Sequence, residues 1–405
     1  MSMNKVQISN QLVDTVYGKD YFSRPSWSPD GLQLLVQTTK KMLIYTDGNV
    51  VGGLDTIANT TGDINENIVN ETTVLDSMDT DKADTIPYQT INNKPVGLNR
   101  NYKPTQIWKN NEDIYDYAWY PHMKTTDPST CCFLTTKRDH PIHLLDSNTG
   151  ALRCTYKSKD GADEITAPMC VRFNLYGDKV YAGYDNCVDV FDVYGELEMR
   201  VKCTPSRAHP DGLKGVISTI DFNTDQSGMY AMGTFSGNIG IADERNNELL
   251  VTMRDPENKA GNQQGLSQVE FSKDGRYLYS SSRNSGSIAC WDIRQSGEVL
   301  YRIKRKGETN QRIMFGLNHE YLVTGDTEGR LYVVDVQGEG VNGIGRELVG
   351  SGMNAIDGIG DPVCMNGSKI SSEGILVTTS GERQFLDEEH GGNIQIWDLG
   401  DITRL

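Results

Sequence analysis

One phrase recurs along the chain and limits what it can fold into. It is an apolar-aromatic step, a polar turn with glycine, an apolar strand, a second turn, then an apolar strand ending in aspartate. The clearest copy runs Val269-Glu270-Phe271-Ser272-Lys273-Asp274-Gly275, then Tyr277-Leu278-Tyr279, then Ile288-Ala289-Cys290-Trp291-Asp292. Others run from Val171 and Phe173 to Asp192, from Ile220 and Phe222 to Asp243, and from Ile313 and Phe315 to Asp335. Weaker copies lie at Trp27 to Tyr45, Tyr117 to Asp146 and Val363 to Asp398. The closing aspartates stand at 146, 192, 243, 292, 335 and 398, and three of the five intervals lie between 43 and 49 residues. That is close to the ~40–45-residue period of a four-stranded propeller blade. Two copies close on Trp-Asp, at Trp291-Asp292 and Trp397-Asp398.

The strands between these turns are short, rich in Val, Ile, Tyr and Phe, and often apolar on both faces. A small sheet sandwiched between two neighbours needs that pattern. Seven copies therefore predict an all-β fold, a seven-bladed WD-repeat β-propeller spanning 1–405 as one domain. Only seven residues follow Asp398, too few for a turn and an outer strand. Before the first copy stand Val6, Ile8, Leu12, Val13 and Val16. An N-terminal strand is thus expected to complete the last blade and remove the final open edge. Gly350-Ser-Gly352-Met-Asn-Ala355 lies between two copies and reads as a flexible loop, since no helix follows to make it a dinucleotide site.

Composition bounds the function. Lys plus Arg is 39 against 55 Asp plus Glu, a formal charge of −16. That balance opposes indiscriminate attraction to nucleic acid or anionic membrane, while leaving room for a local basic patch. No run approaches the ~18 apolar residues of a membrane helix, and the start from Met1 to Val13 is polar, unlike an export signal. The eight cysteines form no Cys-x-x-Cys and fit no zinc spacing. They read as buried free thiols in a reducing compartment. His140 and His143 are three apart in a strand-like stretch and so face opposite ways. No metal, cofactor or catalytic constellation is assigned, and the chain is expected not to be an enzyme.

One stretch stands outside the repeat. Residues 47–107 separate the first two copies, and Asp47 to Asp84 holds nine acidic residues against one lysine. With abundant Asn and Thr and almost no aromatics, it reads as a disordered acidic insertion.

The binding signals lie in one segment. Arg294, Arg302, Lys304, Arg305, Lys306 and Arg312 stand against Glu298 and Glu308, a local +4 on an acidic chain. Arg283 precedes it and Tyr301 is interleaved. Arginine with aromatic rings is the chemistry that stacks on unpaired bases and grips phosphate. The candidate RNA-binding set is therefore Arg283, Arg294, Tyr301, Lys304, Arg305, Lys306 and Arg312, with Phe22 and Trp119 as further stacking candidates. The competing reading is a solvated outer strand, with Arg294 merely anchoring the turn after Trp-Asp.

Particular phrases go beyond the repeat. They are Asp116-Tyr117-Ala118-Trp119-Tyr120, Thr149-Gly150-Ala151-Leu152-Arg153, Asp163-Glu164-Ile165-Thr166-Ala167, Cys290-Trp291-Asp292-Ile293-Arg294-Gln295-Ser296-Gly297, Thr309-Asn310-Gln311-Arg312-Ile313 and Thr379-Ser380-Gly381-Glu382-Arg383-Gln384-Phe385. Together with Pro141-Ile142-His143, they resemble the telomerase Cajal body protein family of WD-repeat proteins over roughly 20 to 400, the insertion excepted. The resemblance implies a nuclear, non-enzymatic propeller that binds small non-coding RNA or RNP proteins. The absence of a long extension before the ring and the Asn- and Asp-rich insertion favour the budding-yeast branch, acting with small nuclear RNPs and the splicing machinery. The alternatives are a trafficking factor for Cajal-type or telomerase RNA, and a pure protein scaffold. A monomeric ring is expected.

Overall fold

A computed structural model describes residues 10–16, 21–38, 41–47, 102–110, 112–158, 165–203, 212–257, 264–295, 298–336, 346–348, 353–356, 365–371, 374–381 and 392–398. They form seven β-sheets and, among the described residues, no helix. The expected seven-bladed propeller is what the chain forms. The innermost strands of blades one to seven are Ser23–Trp27, Ile114–Trp119, Cys170–Phe173, Ile217–Phe222, Leu266–Phe271, Phe315–Leu317 and Met365–Ile370. Each begins an antiparallel meander running outward, of four strands in blades one to six and of three in blade seven. The strand Asn10–Val16 pairs antiparallel with Gly392–Asp398, so the chain's start completes blade seven as expected.

Period-two alternation explains the two-sided apolar strands. In blade four, Tyr230 and Met232 enter the core shared with blade three, while Ala231 between them enters the core shared with blade five. Every apolar cluster lies between two adjacent blades in this way, including the one joining blades one and seven. Aromatic edges fit these interfaces: Tyr181 of blade three meets Phe222 and Tyr230 of blade four at ring-centroid distances of 5.0 and 5.2 Å. The Trp291 indole N–H donates to Ser280 Oγ at 2.8 Å, and that of Trp397 to Thr378 Oγ1 at 2.9 Å. Each Trp-Asp tryptophan is thus buried with its one polar atom satisfied.

The first hairpin turn repeats as Ser-x-Asp-Gly. Ser28 Oγ donates to Asp30 and Ser272 Oγ to Asp274, at 2.6 and 2.5 Å. Gly31 and Gly275 then take φ of 71° and 73°, a left-handed conformation that glycine adopts without steric cost.

Two boundaries differ from the sequence reading. Tyr102–Lys109 is the outer strand of blade one, so Tyr102 to Ile107 belong to the ring and not to the insertion. Composition misled there because the strand is polar, with Lys103, Pro104 and Thr105 exposed. Residues 48–101 lie outside the described residues. Met353–Ile356, placed in a flexible loop, is the outer strand of blade six. Before reaching it the chain lays Arg346–Leu348 parallel against the outer strand of blade five. Serine and glycine beside so short a strand hid it.

Candidate functional site

Strand direction sorts the loops into two faces. Inner strands all start at one end of the ring, called here the upper face. The crossovers between blades and the turns joining second to third strands lie there; the remaining turns lie on the lower face. Arg283 sits in a second-to-third-strand turn and Arg312 in a crossover, so both are on the upper face. Arg294 follows the third strand of blade five and is on the lower face. The basic segment is therefore split by the thickness of the ring.

Most of its members have structural tasks. The Arg294 guanidinium grips Asp292 through Nε and Nη2 at 2.9 and 2.7 Å, and its amide donates to the same carboxylate. Arg245 holds Asp243 identically in blade four. A feature repeated at the same turn of two blades belongs to blade construction. Tyr301 is interior, with its hydroxyl 2.7 Å from that of Tyr279, and offers no ring face for stacking. Arg302 is buried and forks onto Asp255. Arg305 is buried against Thr324, Ser281 Oγ and the Ile313 carbonyl. Lys306 pairs with Glu328, and Lys304 is exposed at the end of the outer strand. Phe22 and Trp119 pack in the cores flanking blade one.

Arg283 and Arg312 are different. Arg312 ends the phrase Thr309-Asn310-Gln311-Arg312, and that crossover lies across the channel mouth. Asn284 of blade five donates to the Thr309 carbonyl at 2.9 Å and to Asn310 Oδ1 at 2.5 Å. Gln311 Nε2 donates to the Gly381 carbonyl of blade seven at 2.8 Å. Arg312 Nη2 reaches the Ser218 carbonyl of blade four at 3.2 Å. One loop therefore ties three blades, two of them on opposite sides of the ring.

Below it the channel wall is charged. In Val171-Arg172-Phe173, Ile220-Asp221-Phe222 and Val269-Glu270-Phe271 the flanking residues enter inter-blade cores, leaving the middle one on the opposite side of the strand. Asp116 accepts from Arg24 at Oδ1 and from Arg172 Nη1 at Oδ2, the latter at 3.0 Å, linking blades one to three. It also accepts the Val171 amide at 3.0 Å and the Tyr117 amide at 2.8 Å. Burial alone would raise its pKa, but Arg172, Arg24 and Arg312 hold the carboxyl below its ordinary range. Across the channel, Lys369 of blade seven pairs with Glu270 of blade five at 2.8 Å.

Inner strands bulge at their upper ends. The pairing register skips Tyr115 in blade two and Ser218 in blade four. The same slip recurs in blades one, five and seven. A bulge frees a carbonyl from the ladder, and arginines take them: Arg24 donates to Tyr115 O and Arg312 to Ser218 O. Arg24 itself holds φ of 53°, strained for a side chain of its size. Sequence reasoning missed Arg24, Asp116 and Arg172. For Arg172 the signal available was its place in the middle of the apolar-aromatic step; Arg24 and Asp116 precede that step in their strands and carried no such signal.

Asp221 completes the wall. Burial first, then the Glu270 charge, raises its carboxyl to about 6; Lys273 and Lys369 act the other way. An unfolded aspartate titrates near ~3.9. Between those values the folded chain holds a proton the unfolded chain has lost, so stability falls as pH rises through the window. Asp221→Asn keeps an acceptor for the Phe271 amide, now 2.8 Å from Oδ2. The variant should gain about 1–3 kcal/mol at pH 7.5 and nothing at pH 4. Urea midpoints at both pH values check this; equal midpoints at pH 7.5 would show that Asp221 ionises without cost.

The comparisons with known proteins agree with this architecture. The family described as Lactonase, 7-bladed beta-propeller, matches residues 220–326. Telomerase Cajal body protein 1 of Homo sapiens is 32% identical over 286 residues, covering 70% of this chain and 49% of that protein. Its Drosophila melanogaster homolog is 31% identical over 297 residues, covering 69% of this chain and 48% of its own length. This chain is similar to Telomerase Cajal body protein 1 across most of its ring. It spans about half the length of these animal relatives. Another relative is the Guanine nucleotide-binding protein negative regulator 1 of Schizosaccharomyces pombe, 29% identical over 257 residues, with 61% of this chain and 63% of that one aligned. The resemblance to the telomerase Cajal body proteins first read from short phrases is thus matched by similarity over most of the ring. One of those phrases, Thr309 to Arg312, is the loop across the channel mouth.

Proposed function

We propose that this chain is a non-enzymatic nuclear propeller that associates with a small ribonucleoprotein, engaging its RNA through the upper face. The observation that carries the reading is similarity over 70% of the chain to proteins named for telomerase, itself a ribonucleoprotein, and for the Cajal body. The arginine-lined mouth supports it. The non-enzymatic part rests on the channel charges being engaged with one another, Asp116 with Arg24 and Arg172, and Glu270 with Lys369. Within this reading we propose association with spliceosomal small nuclear RNPs, which the Asn- and Asp-rich insertion between the first two repeats supports. Ultraviolet crosslinking in cells, purification and RNA sequencing test it. Enriched spliceosomal RNA supports the splicing assignment, and enriched telomerase or Cajal-type RNA replaces it. No RNA above an untagged control overturns RNA engagement.

A protein scaffold is the second reading, and the lower face favours it. Tyr176 and Tyr194 are 68% and 85% exposed in the two lower turns of blade three. Rings so exposed are usual anchors of protein interfaces. Partners that persist after nuclease treatment would establish that role.

A further inference from the structure

The upper mouth of the channel has more guanidinium than its own acceptors use. Arg24, Arg172, Arg283 and Arg312 meet there with Asp116 and, beside Arg172, Asp221 as carboxylates, a formal +2 on a chain of −16. Arg24 and Arg172 are committed to Asp116. Arg312 makes a single 3.2 Å bond to a carbonyl, and its buried Nε has no hydrogen-bond partner. Arg283 Nε is also buried and without one; its guanidinium stands 5.1 Å over the Phe235 ring. Each guanidinium carries five N–H donors. Orphaned buried donors are uncommon in native folds and costly.

The crowding has a consequence. Burial, with Arg24 and Arg283 as like-charged neighbours, pushes Arg312 down to about 9. Burial lowers Arg283 also. An oxyanion between the two would relieve both and supply the missing acceptors.

We propose that Arg283 and Arg312, above the Arg24–Asp116–Arg172 floor, form a binding site for a phosphoryl group. A guanidinium fork matches the oxygen spacing of phosphate, and two forks can share one group with several oxygens. A single carboxylate would leave half of the +2 uncompensated. The phosphoryl group is either free inorganic phosphate or part of an RNA backbone. The RNA source rests on the function proposed above; the site itself does not.

The test uses the full chain and inorganic phosphate as probe. Thermal unfolding in phosphate is compared with sodium chloride at matched ionic strength, with calorimetric titration for affinity. The wild type should be selectively stabilised by phosphate. Arg312→Gln and Arg283→Gln should each weaken phosphate binding about tenfold or more, the scale of losing a charged hydrogen bond. Arg294→Gln, on the other face, should bind like wild type. Should Arg312→Gln fail to fold, Arg283→Gln decides alone, because Arg283 lies in a turn between strands and its guanidinium is stacked on the Phe235 ring. Equal stabilisation by phosphate and chloride, or undiminished binding by Arg283→Gln, overturns the site.

A labelled single-stranded RNA then separates the sources. Displacement of bound RNA by phosphate, lost in Arg283→Gln, identifies the RNA backbone as the occupant. Phosphate binding without RNA competition identifies the free ion. Phosphate binding combined with failed crosslinking in cells leaves the site standing and removes the ribonucleoprotein reading. The reverse pair removes the site and keeps that reading.

Discussion

Asp116→Ala should cost the folded ring about 3–5 kcal/mol, the scale for removing one partner of a buried ionic network. The carboxylate is 2% exposed and engages two arginines and two backbone amides. Its loss strands Arg24 and Arg172 beside Arg312 with no compensating charge. It also disconnects blades one, two and three at the channel wall. Against a typical stability of about 5–15 kcal/mol, that is a large fraction. Urea unfolding at pH 7 measures it. A loss below about 1 kcal/mol would mean that the channel arginines are solvated well enough to stand alone, and would weaken the case for an anion between them.

The second large effect concerns closure. Deleting residues 1–17 removes the strand Asn10–Val16, which pairs with Gly392–Asp398 from Asn10 opposite Trp397 to Val16 opposite Gly392. It also removes Asp14, which accepts from the Tyr45 hydroxyl of blade one at 2.6 Å, and Val13, which packs on the core between blades one and seven. At about 1 kcal/mol net per backbone hydrogen bond, with burial added, the loss approaches about 5 kcal/mol. The bare edge should also promote association between molecules. Thermal unfolding and light scattering check both. An unchanged melting temperature and a monodisperse sample would mean that the ring closes without this strand.

Much of this architecture could be read from the residues because the repeat carries its own instructions. Ser-x-Asp-Gly sets the first turn, the closing Asp marks the third strand, and two-sided apolar strands require neighbours on both faces. The outer strands were less legible. Tyr102–Lys109 is half solvated and Met353–Ile356 is short, so neither shows the apolar run that marks an inner strand. Charge clustering along the sequence was a poor guide to the site. Arg294 and Arg312 are close in number but on opposite faces, because a blade reverses the chain at every turn. Arg24 and Asp116 are far apart in number and in contact, because the ring brings all inner strands to one channel. A linear count of basic residues registers the first pair and misses the second. The charged residue within the apolar-aromatic steps of blades three, four and five, Arg172, Asp221 and Glu270, was the sounder guide, although it points to neither Arg24 nor Asp116.

Joining Asn10–Val16 to Gly392–Asp398 also sets a clock. Of the described strands, the first made pairs with the last made, and the intervening chain takes about 20–75 s to synthesise at ~5–20 residues per second. Blades two to six can assemble as they emerge, each meandering on itself. The first strand must wait for all of them, its edge open throughout. The ring therefore passes from an open arc to a closed circle in one late step, and this nascent interval is when the chain most needs protection from other strands.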